Sequence, residues 1–172
     1  MKRLVIKVGT AVLTQDGQLA IERMENLVDL IAKLKNEKNL EVILVSSGAV
    51  GAGFTTLKLD KKIISNKQAL AAIGQPLLLK HYKKRFKEHN INCAQMLFIA
   101  DDFDSRKRTK NAQDVMEILL ENNILPIINE NDVIANYELL FGDNDQLAAH
   151  VAFHFKADML AILSDIDGYY NK

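Results

Sequence analysis

The stretch from Val42 to Gly53, V-I-L-V-S-S-G-A-V-G-A-G, is the clearest structural signal in this sequence. Its first four residues are apolar and mostly β-branched, which is typical of a short strand buried on both faces, as in a parallel sheet. Two serines and Gly48 end the strand, and the small residues after them predict the start of a helix. Glycines at such a turn allow a ligand to approach backbone N–H groups at the positive end of a helix.

Short apolar runs elsewhere predict four more strands, over residues 4–8, 94–98, 124–128 and 159–163. Helical patterns separate them, and one apolar stripe at i, i+3, i+4, i+7 spacing runs from Leu27 to Leu34. Strands that alternate with helices predict an α/β fold, with a mainly parallel sheet covered on both faces. Finer features are also predicted: a capping-box helix start at Ser65, a helix stop and restart at Gly74 and Pro76, and an extra strand or hairpin over 137–141.

The composition is that of one ordinary globular domain. The 172 residues are enough for a single core, and no linker or repeat marks a second domain, so one domain over 1–172 is predicted. The net charge is zero, and no apolar run approaches the roughly 20 residues that span a bilayer. A single cysteine, Cys93, and an N-terminus that starts in a strand lead us to expect a cytoplasmic protein with no nucleic-acid or membrane partner.

Polar or glycine-rich sequence lies at the ends of four of the five predicted strands, and ligands of open α/β sheets bind beyond the carboxyl ends of the strands. These residues are Lys7, Gly9 and Thr10 for the first strand, Ser46 to Ala49 for the second, Asn129 to Asp132 for the fourth, and Ser164, Asp165, Asp167 and Gly168 for the fifth. A shared crevice would explain them, and so would ordinary loop chemistry, which also favours Gly, Ser, Asn and Asp. Loop chemistry explains Lys7 poorly, because a lysine inside an apolar strand needs a partner or water.

The chain between Asn111 and Phe155 contains eight Asp or Glu and no Lys or Arg. Carboxylates without cations nearby in sequence indicate either a solvated acidic surface or a partner from outside the chain, such as a metal ion or a ligand's ammonium group. The segment Gly142-Asp143-Asn144-Asp145 precedes a predicted helix and could cap it, although two aspartates exceed what a cap requires.

Several common motifs are absent from the sequence. The glycines from Gly48 to Gly53 are spaced G-x-x-G-x-G rather than G-x-G-x-x-G, which disfavours a nicotinamide-dependent oxidoreductase, and no G-x-x-x-x-G-K-[ST] motif is present. His150 and His154 stand at i, i+4 but lack the glutamate of H-E-x-x-H, so helix packing is favoured over a metal site. Ser47 has no G-x-S-x-G context, which disfavours a hydrolase triad.

Five segments, taken in order, resemble the amino acid kinase family. Ile6-Lys7-Val8-Gly9-Thr10 resembles its first strand, and Val45-Ser46-Ser47-Gly48-Ala49-Val50 resembles its second glycine-rich loop. The other three are narrower and resemble family members that act on glutamate: N-E-N-D at 129–132, G-D-N-D at 142–145 and L-S-D-I-D-G-Y-Y at 163–170. The matches extend from residue 6 to residue 170.

The resemblance implies a three-layer αβα sandwich with an open, mainly parallel sheet. It also implies transfer of the γ-phosphoryl group of ATP, bound with Mg²⁺, to the side-chain carboxylate of L-glutamate, the first step of proline biosynthesis. No metal ion held by the protein itself is implied. The implied catalytic residues are Lys7, which would bridge the phosphates, and Asp145, which would orient a catalytic lysine. The implied binding residues are Ser47, Gly48, Asn129, Asp132 and Asn144 for glutamate, and Lys7, Gly9, Thr10, Ser164 and Asp165 for the nucleotide.

The resemblance also implies partners. Proline would inhibit at the glutamate site, glutamyl phosphate reductase would act next, and the protein would form a homo-oligomer. Family members continue with a G-x-G-G-M-x-T-K segment that supplies nucleotide contacts and a second catalytic lysine, so at Lys172 we expect the kinase domain to be incomplete at its C-terminus. The alternatives are a family member that acts on another carboxylate, and a glutamate- or proline-binding module without turnover.

Overall fold

The computed structural model describes residues 2–15, 18–135 and 144–164, and within them the chain forms a five-stranded parallel sheet. Its strands, in spatial order, are β5 (Cys93–Phe98), β6 (Leu125–Glu130), β4 (Glu41–Ser46), β1 (Arg3–Val8) and β7 (Met159–Leu163). A separate antiparallel ribbon consists of β2 (Thr14–Gln15) and β3 (Gln18–Leu19). All five predicted strands are confirmed, whereas the extra strand predicted over 137–141 lies outside the described residues.

Helices cover both faces of the sheet. They are α1 (Thr10–Leu13), α2 (Ile21–Asn36), α3 (Ala49–Thr56), α4 (Ile64–Glu88), α5 (Ala100–Asp104), α6 (Arg106–Glu121) and α7 (Asn144–His154). One core packs α2, α3 and α4 against one face, and Ile31 and Leu78 are among its buried side chains. The other packs α5, α6 and α7 against the opposite face and includes Met116 and Leu147. The predicted three-layer αβα sandwich is therefore confirmed.

Alternation along β1 decides which layer each of its side chains enters. Ile6 and Val8 belong to the core beneath α2, α3 and α4, whereas Val5 belongs to the core beneath α5, α6 and α7. Successive side chains of a strand point to opposite faces of a sheet, so Lys7 shares the face of Val5. A lysine therefore lies under the helical layer that contains α7.

The order of the strands brings four of the five carboxyl ends together. β6, β4, β1 and β7 are consecutive neighbours, and these are the strands that end in polar or glycine-rich sequence. β5, which leads into Ala100 and Asp101, lies at the outer edge beyond β6. The expected common edge is therefore present, with the residues after β4 and β6 on one side of Lys7 and those after β7 on the other.

Two predictions about α4 are wrong. The helix runs without interruption from Ile64 to Glu88, although Gly74 and Pro76 predicted a stop and restart. It also begins after the N-cap residue Ile63 rather than at the capping box predicted at Ser65. Tertiary packing of α4 on α3 explains the continuity, because packing rather than intrinsic propensity provides most helical stability in folded proteins.

Gly74 lies where α4 contacts α3, and a Cβ there would be 1.8 Å from the backbone O of Ala49 and 2.4 Å from the backbone N of Gly53. We expect Gly74→Ala to destabilise the fold by about 3 kcal/mol or more, because backbone atoms cannot move aside as side-chain ends do. Gly51→Ala is the matched control, since a Cβ there contacts only Thr14 Cγ2, at 3.0 Å. Denaturant titration should show a much smaller loss of unfolding free energy for Gly51→Ala. Equal losses in the two variants would contradict the packing role of Gly74.

Arg3 joins several elements at the opposite, amino-terminal edge of the sheet. Its guanidinium donates to Glu41 at 2.8 Å and to both carboxylate oxygens of Glu117 at 2.8 Å, and it also donates to the backbone O of Phe155. The hydrogen bond from Arg3 is the largest cause of a lowered pKa for Glu117. Glu117 has no cationic residue nearby in its own segment, and Arg3 of β1 is its cationic partner.

Acidification should weaken this cluster. Because the pKa of Glu117 is depressed in the folded state, its ionised form stabilises the fold above the ordinary carboxyl value of 4.5, and this contribution is lost as the pH falls through the folded value. Between about pH 6 and about pH 3, the unfolding free energy of the wild type should therefore fall more steeply than that of Glu117→Gln. Arg3→Met should make the pH dependence of the unfolding free energy shallower, as Glu117→Gln does. Parallel profiles for wild type and Glu117→Gln would contradict the assignment.

Candidate active site

The centre of the carboxyl edge is an ion pair between Lys7 and Asp145. Lys7, near the end of β1, is 4% exposed, and its Nζ lies 2.6 Å from Oδ1 of Asp145 in the first turn of α7. The alternation of side chains along β1 directs Lys7 to the face of the sheet that α7 covers. The helix α7 packs against β1, and its first turn carries Asp145. A buried ammonium group needs a charged or polar partner, so Asp145 meets the requirement that the sequence raised for Lys7.

The idea that the acidic stretch takes its cations from outside the chain is wrong for two of its members. Asp145 is paired with Lys7, and Glu117 is paired with Arg3. Both partners lie on β1, far away in sequence, and the parallel sheet brings them under the helices that carry the carboxylates. The lysine that Asp145 contacts is therefore one that this chain contains.

Three of the predicted glutamate-binding residues form one hydrogen-bonded cluster. Asn144, the first residue of α7, donates from Nδ2 to Ser47 Oγ at 2.6 Å and to Asn129 Oδ1 at 3.0 Å. Ser47 follows β4 and Asn129 lies in β6, and both are buried. Adjacent strands β4 and β6 thus bring together residues from three separate loops and strand ends.

Gly48, the next predicted residue, forms the turn between β4 and α3. Its φ of 105° lies in the left-handed region that favours glycine, and no side chain caps the first turn of α3. The first N–H groups of an α-helix have no acceptor within the helix, so those that follow Gly48 are suited to bind a ligand at the edge of the site. The other two glycines of this segment have packing roles: a Cβ on Gly51 would lie 3.0 Å from Thr14 Cγ2, and one on Gly53 would lie 1.9 Å from the backbone O of Leu70.

Asp132 lies in the turn after β6 and lines a cavity of about 710 Å³ between α4, β5 and this turn. Burial is the main cause of a raised pKa for Asp132, and the nearby positive charge of Lys67 partly offsets it. Lys7, Ser47 and Asn144 do not line this cavity. The structure thus places Asp132 beside the cluster rather than within it.

Gln75 connects the two regions and was missed in the sequence. It lines the same cavity as Asp132, and its Oε1 accepts a hydrogen bond from Asn129 Nδ2 at 2.8 Å. Its position between Gly74 and Pro76 predicts a helix break, which indicates no side-chain role. No local sequence pattern indicates this role, because it depends on the contact between Gln75 and the distant Asn129.

The predicted nucleotide-binding residues that are described lie at the ends of β1 and β7. Gly9 and Thr10 follow β1, Ser164 follows β7, and the backbone N of Gly9 donates to the backbone O of Leu163 at 3.3 Å. A Cβ on Gly9 would lie 3.5 Å from Nζ of Lys7, so glycine keeps the space beside the lysine open. Asp165 lies outside the described residues, as do Gly142, Asp143 and residues 166–170.

Other reactive side chains lie away from this edge. His150 and His154 stack with ring centroids 5.9 Å apart, and each ring lies 5.1 Å from that of Phe103, which agrees with helix packing. Burial, and secondarily His150, lowers the pKa of His154. Burial raises the pKa of Cys93 to about 12, which keeps the thiol protonated and unreactive.

Two kinds of feature are absent from the described part of the chain. Residues 2–15, 18–135 and 144–164 contain no group of three or more His, Cys, Asp or Glu side chains arranged to hold a metal ion. In the same ranges, no helix has the length and apolar character needed to cross a membrane.

Comparison with known proteins identifies the family. The model of the amino acid kinase family matches residues 2–172, and the chain therefore belongs to this family. It is 57% identical to the glutamate 5-kinase of Wolinella succinogenes and 54% identical to that of Leishmania donovani; the alignments cover 100% of this chain and 67% and 65% of those proteins. It is also 48% identical to glutamate 5-kinase 2 of Bacillus subtilis, covering 99% of this chain and 47% of that protein. The chain thus spans about two thirds of the first two relatives and under half of the third.

A solved structure supports the fold. The UMP kinase of Ureaplasma parvum superposes with a TM-score of 0.63 over 99% of this chain and 72% of that chain, at 17% sequence identity. At this identity the likeness concerns the three-layer fold alone.

Proposed function

We propose that the protein transfers the γ-phosphoryl group of ATP to the side-chain carboxylate of L-glutamate, giving L-glutamyl 5-phosphate in proline biosynthesis. The observation that carries the proposal is the buried Lys7–Asp145 pair beside the Ser47–Asn129–Asn144 cluster. The similarity to several proteins named glutamate 5-kinase supports the choice of substrate.

Lys7 would supply the cation that this reaction requires. Donor and acceptor are both anionic, and phosphoryl transfer depends mainly on positioning and on stabilisation of negative charge. Lys7 stands in the sheet between the strand ends assigned to the nucleotide and those assigned to glutamate. Asp145 holds Nζ in place, so the charge is oriented before either substrate binds.

The α-ammonium and α-carboxylate groups of glutamate would be bound by Asp132 and by the cluster around Asn144. The half-buried carboxylate of Asp132 favours a cationic ligand, because an ammonium group would compensate the lost solvation that raises its pKa. Ser47 and the backbone N–H groups after Gly48 are donors suited to carboxylate oxygens. Such an arrangement would orient the side-chain carboxylate of glutamate toward Lys7.

ATP would bind at the carboxyl ends of β1 and β7. The absence of a side chain at Gly9 would let a phosphate group approach Lys7 Nζ, and Thr10, Ser164 and Asp165 would contribute to the nucleotide site. Mg²⁺ bound to the nucleotide would neutralise phosphate charge. Lys7 and the backbone around Gly9 are the groups of the described chain that would bind and orient the phosphates.

The wider assignments belong to the same proposal. We propose a cytoplasmic homo-oligomer in which residues 1–172 belong to one kinase domain. Proline would compete for the glutamate site, and glutamyl phosphate reductase would take the product, because an acyl phosphate in water requires prompt use. No nucleic-acid or membrane partner is proposed.

Trapping with hydroxylamine tests the proposed reaction, because an acyl phosphate formed from glutamate is converted to the glutamyl hydroxamate. The assay uses MgATP with glutamate, N-acetylglutamate or aspartate. It is run on the chain and on a chimaera that continues with the remaining part of the Wolinella succinogenes relative, of which the chain covers 67%. We expect glutamyl hydroxamate from the chimaera and little from the chain alone. A chimaera that uses another carboxylate in preference to glutamate would contradict the substrate assignment.

A further inference from the structure

The hydrogen bonds around Asn144 have a defined direction. Its Nδ2 donates to both Ser47 Oγ and Asn129 Oδ1, at 2.6 Å and 3.0 Å, so both amide protons are used. The end of the Asn144 carboxamide that can still engage a ligand is therefore its acceptor, Oδ1. Ser47 accepts at Oγ, which leaves the hydroxyl proton to be donated elsewhere.

The direction continues one step further, into α4. Asn129 is 3% exposed, and its Nδ2 donates to Gln75 Oε1 at 2.8 Å. The chain of donors and acceptors thus runs from Asn144 through Asn129 to Gln75. Each carboxamide has a donor end and an acceptor end, so the opposite direction is also chemically possible. In that case Asn144 would present N–H groups, and Ser47 would donate to it.

Gln75 is the member of the chain that can decide between the two directions. It is the one that lines the cavity shared with Glu130 and Asp132. A carboxylate only accepts hydrogen bonds, so a neighbouring carboxamide is more stable with its NH₂ group on the carboxylate side. This orientation of Gln75 directs Oε1 to Asn129, which is the arrangement observed.

We propose that Gln75 is a positioning residue that sets the hydrogen-bond direction of the site. Through Asn129, it makes Asn144 an acceptor and Ser47 a donor. An acceptor at Asn144 suits the ammonium group of an amino acid, and a donor at Ser47 suits a carboxylate oxygen. The assignment of these groups to glutamate rests on the proposed function, whereas the direction of the hydrogen bonds does not.

Two substitutions of similar size separate the direction from mere packing. Gln75→Glu keeps an acceptor for Asn129 and cannot reverse the direction, whereas Gln75→Met keeps the length of the side chain and removes the strong acceptor. In Gln75→Met, the side-chain amide protons of Asn144 should exchange with water faster in ¹H–¹⁵N spectra, and calorimetry should show glutamate binding weaker by about tenfold. Gln75→Glu should keep slow exchange and bind glutamate within a few-fold of the wild type.

Equal exchange rates of the Asn144 side-chain amide protons in wild type and Gln75→Met would overturn the proposal. A loss of glutamate affinity in Gln75→Glu as large as that in Gln75→Met would also overturn it. Gln75→Ala, which suits a helix, is the substitute if Gln75→Met does not fold, and the same outcomes apply to it. If the wild type binds no glutamate, the proposed function fails, but the exchange comparison still decides the role of Gln75.

Discussion

Phosphoryl transfer by the Lys7→Met variant is expected to be about 10²–10³ times slower than by the wild type, the usual effect of removing one group that stabilises transition-state charge. Met keeps the length and volume of the lysine while it removes the charge between two anionic substrates. The measurement is the rate of glutamyl hydroxamate formation in the chimaera. Glutamate affinity should change much less than the rate, because the proposed role of Lys7 is toward the transferred group rather than the ammonium group of the amino acid.

Lys35→Met provides a matched control for Lys7→Met. Lys35 is also buried, at 6% exposure, but it lies on α2, and burial lowers its pKa. Its replacement should leave the rate of transfer unchanged. A similar loss of rate in both variants would indicate general damage to the fold, and an unchanged rate in Lys7→Met would remove Lys7 from the reaction.

The Asp132→Asn variant is expected to bind glutamate about 10–100-fold more weakly, because a charge-assisted hydrogen bond contributes about 1.5–3 kcal/mol. The same variant should not be less stable at neutral pH. Because the pKa of Asp132 is raised in the folded state, its contribution to stability is present at low pH and is lost as the pH rises through the folded value. An Asn there avoids the cost of partly desolvating a carboxylate.

Asp101→Asn is the control for Asp132→Asn. Asp101 is exposed and follows β5, the outer strand whose end lies apart from the candidate site. Calorimetry should give the wild-type affinity for this variant, and denaturant titration should give near wild-type stability. Unchanged glutamate affinity in Asp132→Asn would remove Asp132 from the site.

The sequence predicted the strands and their common edge because these depend on local patterns. Runs such as Val42 to Val45 identify buried strands, and the βα order identifies a parallel sheet. The polar ends of four strands then indicated a crevice, since the carboxyl ends of parallel strands share one edge. The family motifs added candidate residues, of which Ser47, Asn129 and Asn144 are in contact.

The features that were missed depend on contacts between distant parts of the chain. The pairing of Lys7 with Asp145 requires the sheet order and the placement of α7, neither of which local patterns determine. The continuity of α4 at Gly74 depends on the backbone of α3. Gln75 has a role only because it reaches Asn129, which is buried in β6.

Calorimetric titration of the 172-residue chain with L-glutamate and with N-acetylglutamate tests most directly whether this edge of the sheet is a glutamate site. The two ligands share their carboxylates and differ in the ammonium group, which Asp132 and Asn144 Oδ1 would recognise. We predict binding of glutamate at one site per chain and at least tenfold weaker binding of N-acetylglutamate. Equal binding of the two ligands, or tighter binding of N-acetylglutamate, would contradict the assignment.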